Sequence, residues 1–190
     1  MRLFIIIICA LLLICFSSAH ASETRDDRNK FYLGASVGSY QDVLEDDTLG
    51  GSFQIGYDLH KFIAIESQLG LTYDTYEETV DGSTLSSKNL ISYASIYLRG
   101  NLRFDSFSLF ALGGYSYVRN DFELDISPPL PFFESMDGNT SDSDVSYGAG
   151  IDLYGNDTTA LSFKWMRIID MGDEGELDAW LLGFTHYLKN

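Results

Sequence analysis

The chain has 190 residues, 45% of them apolar or aromatic, with 28 acidic against 12 basic groups and a formal charge of −16. The apolar share excludes a disordered chain, and the length fits one domain. The acidity excludes a nucleic-acid binder, which needs a basic face to displace counterions from phosphate. Seventeen Gly and 27 aromatics against 3 Pro point to a sheet protein whose strands carry aromatics and whose crowded positions need glycine.

The N-terminus reads as a secretory signal peptide over residues 1–21. Arg2 gives the positive start, Phe4 to Phe16 is an unbroken apolar run, and Ala19-His20-Ala21 is a small-x-small cleavage site. The run of 13 residues is shorter than the ~20 a membrane helix needs. Cys9 and Cys15 both fall inside it, and Ile8 and Ile14 before them do not fit a lipoprotein site. The mature chain is therefore expected to hold no Cys and a charge of −17 over 169 residues. A short lead, 22–30, precedes a barrel domain over 31–190.

From there the chain repeats one pattern, apolar and polar residues alternating at period two, the period of a strand. Eight strands are predicted, roughly Phe31–Tyr40, Gly50–Leu59, Phe62–Tyr73, Lys88–Arg103, Phe107–Arg119, Val145–Tyr154, Thr158–Ile169 and Leu177–Leu188. Tight connections at His60-Lys61, Phe104-Asp105-Ser106 and Gly155-Asn156-Asp157 alternate with long ones at Gln41–Thr48, Asp74–Ser87, Asn120–Asp144 and Asp170–Glu176. Such an up-and-down meander removes its two bare edges by closing into a barrel.

The polar-face residues decide which face points outward. In the second strand Phe53, Ile55, Tyr57 and Leu59 oppose Ser52, Gln54, Gly56 and Asp58. In the third, Ile63, Ile65, Leu69, Leu71 and Tyr73 oppose Glu66, Gln68, Gly70 and Thr72. The fourth sets Ala94, Ile96, Leu98 and Leu102 against Tyr97, Arg99, Asn101 and Arg103. The sixth sets Val145, Tyr147, Ala149, Ile151 and Leu153 against Ser146, Gly148, Gly150 and Asp152, and the seventh Leu161, Phe163 and Trp165 against Ser162 and Lys164. For the fifth, either Leu109, Ala111, Gly113, Tyr115 and Tyr117 or Phe110, Leu112 and Val118 face out. The first set is preferred because it puts two Tyr near one lipid interface.

A solvated face has no reason to be small, whereas the interior of a narrow eight-stranded barrel only just holds side chains. The small polar face is therefore assigned to the lumen and the bulky apolar face to lipid. Glu66, Arg99, Arg103, Asp152 and Lys164 share the lumen face in both signs, so they are expected to form an internal ion-pair network.

The ordered stretches "FYLGASVG", "FIAIESQLGLTY", "YLRGNLRF" and "SYGAGIDLYGNDTTALSFKW" make the mature chain resemble the small outer-membrane barrels of the OmpX/Ail type and the related OmpA transmembrane domain. The resemblance implies an all-β, eight-stranded, antiparallel up-and-down transmembrane barrel in a Gram-negative outer membrane, with short periplasmic turns and long extracellular loops. It also implies contact with outer-membrane lipid and lipopolysaccharide. One departure stands out. The family ends in a strand whose last residue is Phe, and here His186 and Leu188 hold the last outer positions, followed by Lys189 and Asn190.

The long connections contain four, four, seven and five acidic residues, twenty in all when the last is counted to Asp178, and no Lys or Arg. Two readings stay open for them: plain repulsion at the surface, or bridging of lipopolysaccharide phosphates through a divalent cation. The stretch Asp137-Gly138-Asn139-Thr140-Ser141-Asp142-Ser143-Asp144 offers oxygen ligands without EF-hand spacing. Pro128, Leu130, Phe132 and Phe133 form either a contact surface for another protein or a rim anchor in the lipid headgroups. The Asn139 and Asn156 glycosylation patterns are taken as chance matches.

An enzyme is not expected, and neither is a cofactor. Acyl-transfer chemistry at the loop end needs a His beside a Ser and a carboxylate, and both mature His, His60 and His186, fall at the turn end. The expected role is a structural, adhesion or other surface-interaction function of a monomer. The alternatives are a soluble periplasmic barrel with Ile65, Leu69 and Leu98 lining an apolar cavity, and a minor gated channel.

Overall fold

The computed structural model describes residues 31–41, 47–80, 83–127, 136–170 and 176–188. The expected signal peptide and lead lie outside them, as do Pro128, Leu130, Phe132 and Phe133. The described residues form β1 (Phe31–Gln41), β2 (Asp47–His60), β3 (Ile63–Val80), β4 (Ser83–Arg103), β5 (Phe107–Ser127), β6 (Met136–Tyr154), β7 (Thr159–Asp170) and β8 (Glu176–Tyr187). Each strand pairs antiparallel with the next, and β8 closes on β1 from Tyr32↔Tyr187 to Gln41↔Asp178. Closure leaves no edge within the wall, the condition for a sheet to sit in lipid.

The alternation resolves as the small-face argument requires. Phe53, Ile55, Ile65, Leu69, Leu71, Ile96, Leu98 and Leu102 are exposed, while Ser52, Gln54, Glu66, Gln68, Arg99, Asn101, Asp152 and Lys164 are buried. In β5 the outward set is Leu109, Ala111, Gly113, Tyr115 and Tyr117. The soluble-barrel alternative fails here, because Ile65, Leu69 and Leu98, which it needs around a cavity, point out of the barrel.

Aromatics mark both ends of the apolar wall, where amphipathic rings settle at a membrane interface. At the turn end Phe31 packs on Tyr57 at 4.6 Å and Phe104 stacks on Phe107 at 4.5 Å between ring centroids. At the other end Trp165 lies 5.9 Å from Tyr147 and 6.4 Å from Trp180. The turns are held locally. Phe104 N donates to Phe107 O (2.8 Å), and the Asn156 side-chain oxygen accepts from Thr158 N (2.9 Å) and Oγ1 (3.0 Å). Asn156 is thus a turn-former of the Asx kind.

Two expectations need correction. The long connections at 74–87 and 120–144 are largely strand: β3 runs on to Val80, β4 starts at Ser83, β5 reaches Ser127 and β6 starts at Met136. These strands have 18, 21, 21 and 19 residues, about twice the 9–11 that cross a bilayer. Above the lipid both faces meet water, so the ladder continues without the apolar period that betrays it. The lumen is also less uniformly small and polar than expected. Ile91, Val118, Met166, Ile168, Leu177 and Leu181 are buried in its hairpin-end half.

Candidate functional site

Two regions carry chemistry, the lumen and the hairpin end. In the lumen, strand alternation aims Glu66 from β3, Arg99 from β4, Asp152 from β6 and Lys164 from β7 at one another. Arg99 Nη1 donates to Glu66 at 3.0 Å, Nη2 to Asp152, and Nε to Asn101 at 2.8 Å. Its guanidinium lies 3.8 Å from the Phe110 ring centroid and 5.6 Å from that of Tyr32, a cation–π contact that offsets part of its desolvation.

Lys164 Nζ donates to Gln54 at 2.5 Å and Gln68 at 3.0 Å, and approaches Glu66 to 4.0 Å. Tyr32 donates to Glu66 at 2.8 Å, and Ser162 to Asp152 at 2.6 Å. The two cations and two carboxylates balance, each is at most 2% exposed, and hydrogen bonds fill their remaining valences, the condition on which buried ions are tolerated.

Arg103 stands apart from these four. It grips both oxygens of Asp58 at 2.7 Å, nearer the turn end. Asp58 and Gln68 were readable only as members of the polar set. The signal for Tyr32 was its phase, which it shares with Gly34, Ser36 and Gly38 in "FYLGASVG". Gly56 and Gly70 make room for this tyrosine lining: a Cβ at Gly56 would strike the Tyr32 ring, and one at Gly70 the Tyr93 ring.

At the hairpin end β3, β4, β5 and β6 continue past the barrel as a four-stranded blade. The β2–β3 ladder ends at Gly50↔Thr72 and the β6–β7 ladder at Tyr147↔Arg167. The β3–β4 ladder continues to Val80↔Ser83 and the β5–β6 ladder to Leu124↔Met136. Beyond those points one side of β3 and one side of β6 have no strand partner among the described residues. Asp74 and Glu77 lie on the β3 edge, and Asp137, Asp142 and Asp144 on the β6 edge.

The cations flanking this end are all engaged. Lys88 meets Glu123 at 3.5 Å, Arg119 meets Asp121 at 2.8 Å, and Arg167 meets Glu176 at 2.6 Å and Asp178 at 2.9 Å.

The oxygen-rich stretch 137–144 is strand, and its alternation separates the face of Asp137 from that of Asp142 and Asp144. Asp142 and Asp144 instead accept from the next backbone amides, Ser143 N at 2.7 Å and Val145 N at 2.6 Å. Among the described residues no group of three or more His, Cys, Asp or Glu is placed to hold a metal ion. His60 and His186 sit at the turn end, His60 5.6 Å from the Phe62 ring and His186 Nδ1 3.3 Å from Thr159 Oγ1.

Comparison with known proteins fits this geometry. The crystal structure of Ail, the attachment invasion locus protein of Yersinia pestis, in complex with the heparin analogue sucrose octasulfate superposes with a TM-score of 0.57 at 15% identity, covering 84% of this chain and 97% of Ail. OprG from Pseudomonas aeruginosa gives 0.57 at 9% identity over 88% of this chain and 100% of its own. The N-terminal β-barrel domain of Pseudomonas aeruginosa OprF gives 0.52 at 14% identity over 84% and 98%. These likenesses establish a shared fold. No curated protein sequence matches the chain. The family described as outer membrane protein beta-barrel domain matches residues 7–186, nearly the whole chain, and the protein is a member of that family, seated in the bacterial outer membrane.

Proposed function

We propose that the protein is a non-enzymatic surface protein whose acidic blade contacts cationic partners outside the cell. The observation that carries this reading is the continuation of β3–β6 beyond the apolar wall, with one edge on each side that has no strand partner among the described residues and carboxylates along both edges. A bare edge can take up an extended peptide by strand addition. Carboxylates along it keep copies of the same chain from pairing, since like charges would face each other, which supports a monomer. They also favour a segment rich in Lys or Arg.

Ail was crystallised with a heparin analogue, a polyanion. The described carboxylates of the hairpin end, among them Asp74, Glu77, Asp121, Glu123, Asp137, Asp142 and Asp144, favour ligands of the opposite sign. The Tyr147, Trp165 and Trp180 cluster below the blade supports contact with the outer leaflet, where lipopolysaccharide resides. The test is binding of fluorescent oligolysine, with heparin as counter-probe, to vesicles holding the full protein. Oligolysine is expected to bind, to weaken with added salt as surface charge is screened, and to weaken on Asp137→Asn/Asp142→Asn/Asp144→Asn substitution. Heparin binding without oligolysine binding refutes the proposal.

A further inference from the structure

We infer, on the strand-addition reading above, that the blade edges are capped by their own aspartates, and that the caps on β6, Asp142 and Asp144, select a partner strand with basic residues at alternate positions. In an antiparallel strand each residue points its N–H and C=O to one side, and the sides alternate. A Cβ at Gly148 or Gly150 would strike the carbonyl oxygen of Trp165 or Phe163, so those carbonyls point from β7 to β6, at their partners Ala149 and Ile151. The β5–β6 ladder runs on without a register shift. Counting by twos, Tyr147, Val145 and Ser143 therefore turn their N–H and C=O to that same side, and past Tyr147 it has no strand partner among the described residues. On β3 a Cβ at Gly50 would strike the Leu71 carbonyl oxygen. Leu71, Tyr73 and Thr75 thus point to the β2 side, where the ladder ends at Gly50↔Thr72.

Side chains already occupy these edge positions. Asp144 accepts from Val145 N at 2.6 Å, Asp142 from Ser143 N at 2.7 Å, and Asp74 from Thr75 N at 2.8 Å. The Ser143 carbonyl is engaged too, accepting from the Tyr115 hydroxyl at 3.1 Å. Three carboxylates thus make the same bond, each to the edge amide that follows it, just past the point where the barrel ladders end. Asp142 and Asp144 share the phase of Ser146 and Asp152, so both stand on the face of the blade that continues the lumen.

An amide bonded to a carboxylate makes a charge-assisted bond, stronger than the neutral amide–carbonyl bond of a sheet. A neutral strand laid against β6 must displace two such bonds and replace them with weaker ones. A strand with Lys or Arg opposite Asp142 and Asp144 does better, because residues directly opposite on antiparallel strands share a face, with Cβ atoms about 5 Å apart. Each carboxylate then swings to a cation, and its amide is released to a carbonyl of the incoming strand. Since the two aspartates lie on one face, two residues apart, the matching basic residues are two apart as well.

Two fluorescent peptides, one of alternating Lys and Thr and one of alternating Gln and Thr, are titrated onto vesicles holding the full protein or one of two variants. Boiled and unboiled gel mobility reports that each variant is a folded barrel. Asp142→Asn/Asp144→Asn removes the charges and keeps a side-chain oxygen for each cap, whereas Asp142→Ala/Asp144→Ala removes both. The unsubstituted protein is expected to bind the Lys peptide and refuse the Gln peptide. The Asn variant is expected to bind the Lys peptide more weakly and still refuse the Gln peptide, and the Ala variant to take up the Gln peptide. An Ala variant that refuses the Gln peptide, or an Asn variant that accepts it as readily as the Ala variant, overturns the inference.

Failure of the unsubstituted protein to bind the Lys peptide refutes strand addition, and with it the selection of a partner. Amide hydrogen exchange in micelles tests the caps apart from any ligand. Ser143 and Val145 are expected to exchange several-fold faster in the Ala variant than in the Asn variant, a comparison in which both lack the charges and only one keeps the caps. Equal rates in the two variants overturn the capped edge.

Discussion

Replacing Arg99 by Met tests whether the lumen ion network is a single cooperative unit. Arg99 is 2% exposed and touches Glu66, Asp152 and Asn101 through its three guanidinium nitrogens. Methionine keeps most of the volume and the contact with Phe110 but leaves two buried carboxylates facing one ammonium. Removing one partner of a buried pair costs about 3–5 kcal/mol. With a slope of about 2 kcal/mol per molar urea, the unfolding midpoint falls by about 2 M. Arg103→Met removes a contact from one guanidinium nitrogen to both Asp58 oxygens, nearer the turn end, where the two side chains are 16% and 8% exposed, so the freed carboxylate is buried less completely than Glu66 or Asp152 and faces no second stranded carboxylate. Its cost is about 1–3 kcal/mol, less than that of Arg99→Met.

Urea titration in detergent micelles, followed by tryptophan fluorescence and gel mobility, measures both. Neutralising the network together (Glu66→Gln/Arg99→Met/Asp152→Asn/Lys164→Met) removes the stranded charge and is expected to cost less than Arg99→Met alone, a non-additivity that independent sites do not show. Equal losses from Arg99→Met and Arg103→Met, or a fourfold variant that simply sums its parts, would refute the reasoning.

Further predictions concern the wall and the turns. Gly70→Ala drives a Cβ into the Tyr93 ring, whereas a Cβ at Gly100 meets nothing within 4 Å. The first is expected to cost about 1–3 kcal/mol by overpacking, and the second to be neutral or to stabilise by up to about 1 kcal/mol by restricting the unfolded chain, both read from urea midpoints. Leu69→Arg puts a charge on a side chain that is 60% exposed on the outer wall and is expected to cost about 2–4 kcal/mol in lipid. Vesicle insertion yield measures it, and an unchanged yield would place Leu69 outside the membrane. Asn156→Ala removes both side-chain bonds to Thr158 in the β6–β7 turn and is expected to cost about 1 kcal/mol, seen as a faster thermal loss of the compact gel band.

Legibility of the sequence followed the solvent. Where one face meets lipid and the other the lumen, side chains are sorted by environment and the period shows. Ser52, Gln54, Gly56 and Asp58 against Phe53, Ile55, Tyr57 and Leu59 gave both the strand and its orientation. Above the lipid the same backbone ladder carries Asp121, Glu123, Ser141 and Ser143 on a face bathed in water, and no period survives to mark it. The apolar side chains of β7 that enter the lumen escaped notice for the opposite reason. Around Trp165-Met166-Arg167-Ile168-Ile169 apolar residues occur on both faces, and a register shift between Arg167 and Ile169 breaks the count. The lumen ions were visible as residues sharing a face. Their partition was not, because a period places side chains on a face without giving their depth along a tilted strand, and depth separates Arg103 with Asp58 from Arg99 with Glu66 and Asp152.

The charge of −16 is therefore not spread evenly through the molecule. In the described lumen Arg99, Arg103 and Lys164 meet Asp58, Glu66 and Asp152, and the sum is zero. Among the described residues the excess falls on the blade and the hairpin end, where Lys88, Arg119 and Arg167 are each held by a neighbouring carboxylate. Balance inside is strongly favoured, because an unpaired ion in the lumen costs about 3–5 kcal/mol. Excess outside has no such folding requirement, since in water it gains little stability and adds repulsion along the edges. On the function proposed above, surface charge of one sign carried at that cost acts instead on what approaches: it would repel copies of the chain and anionic polymers and draw cationic segments toward the two blade edges.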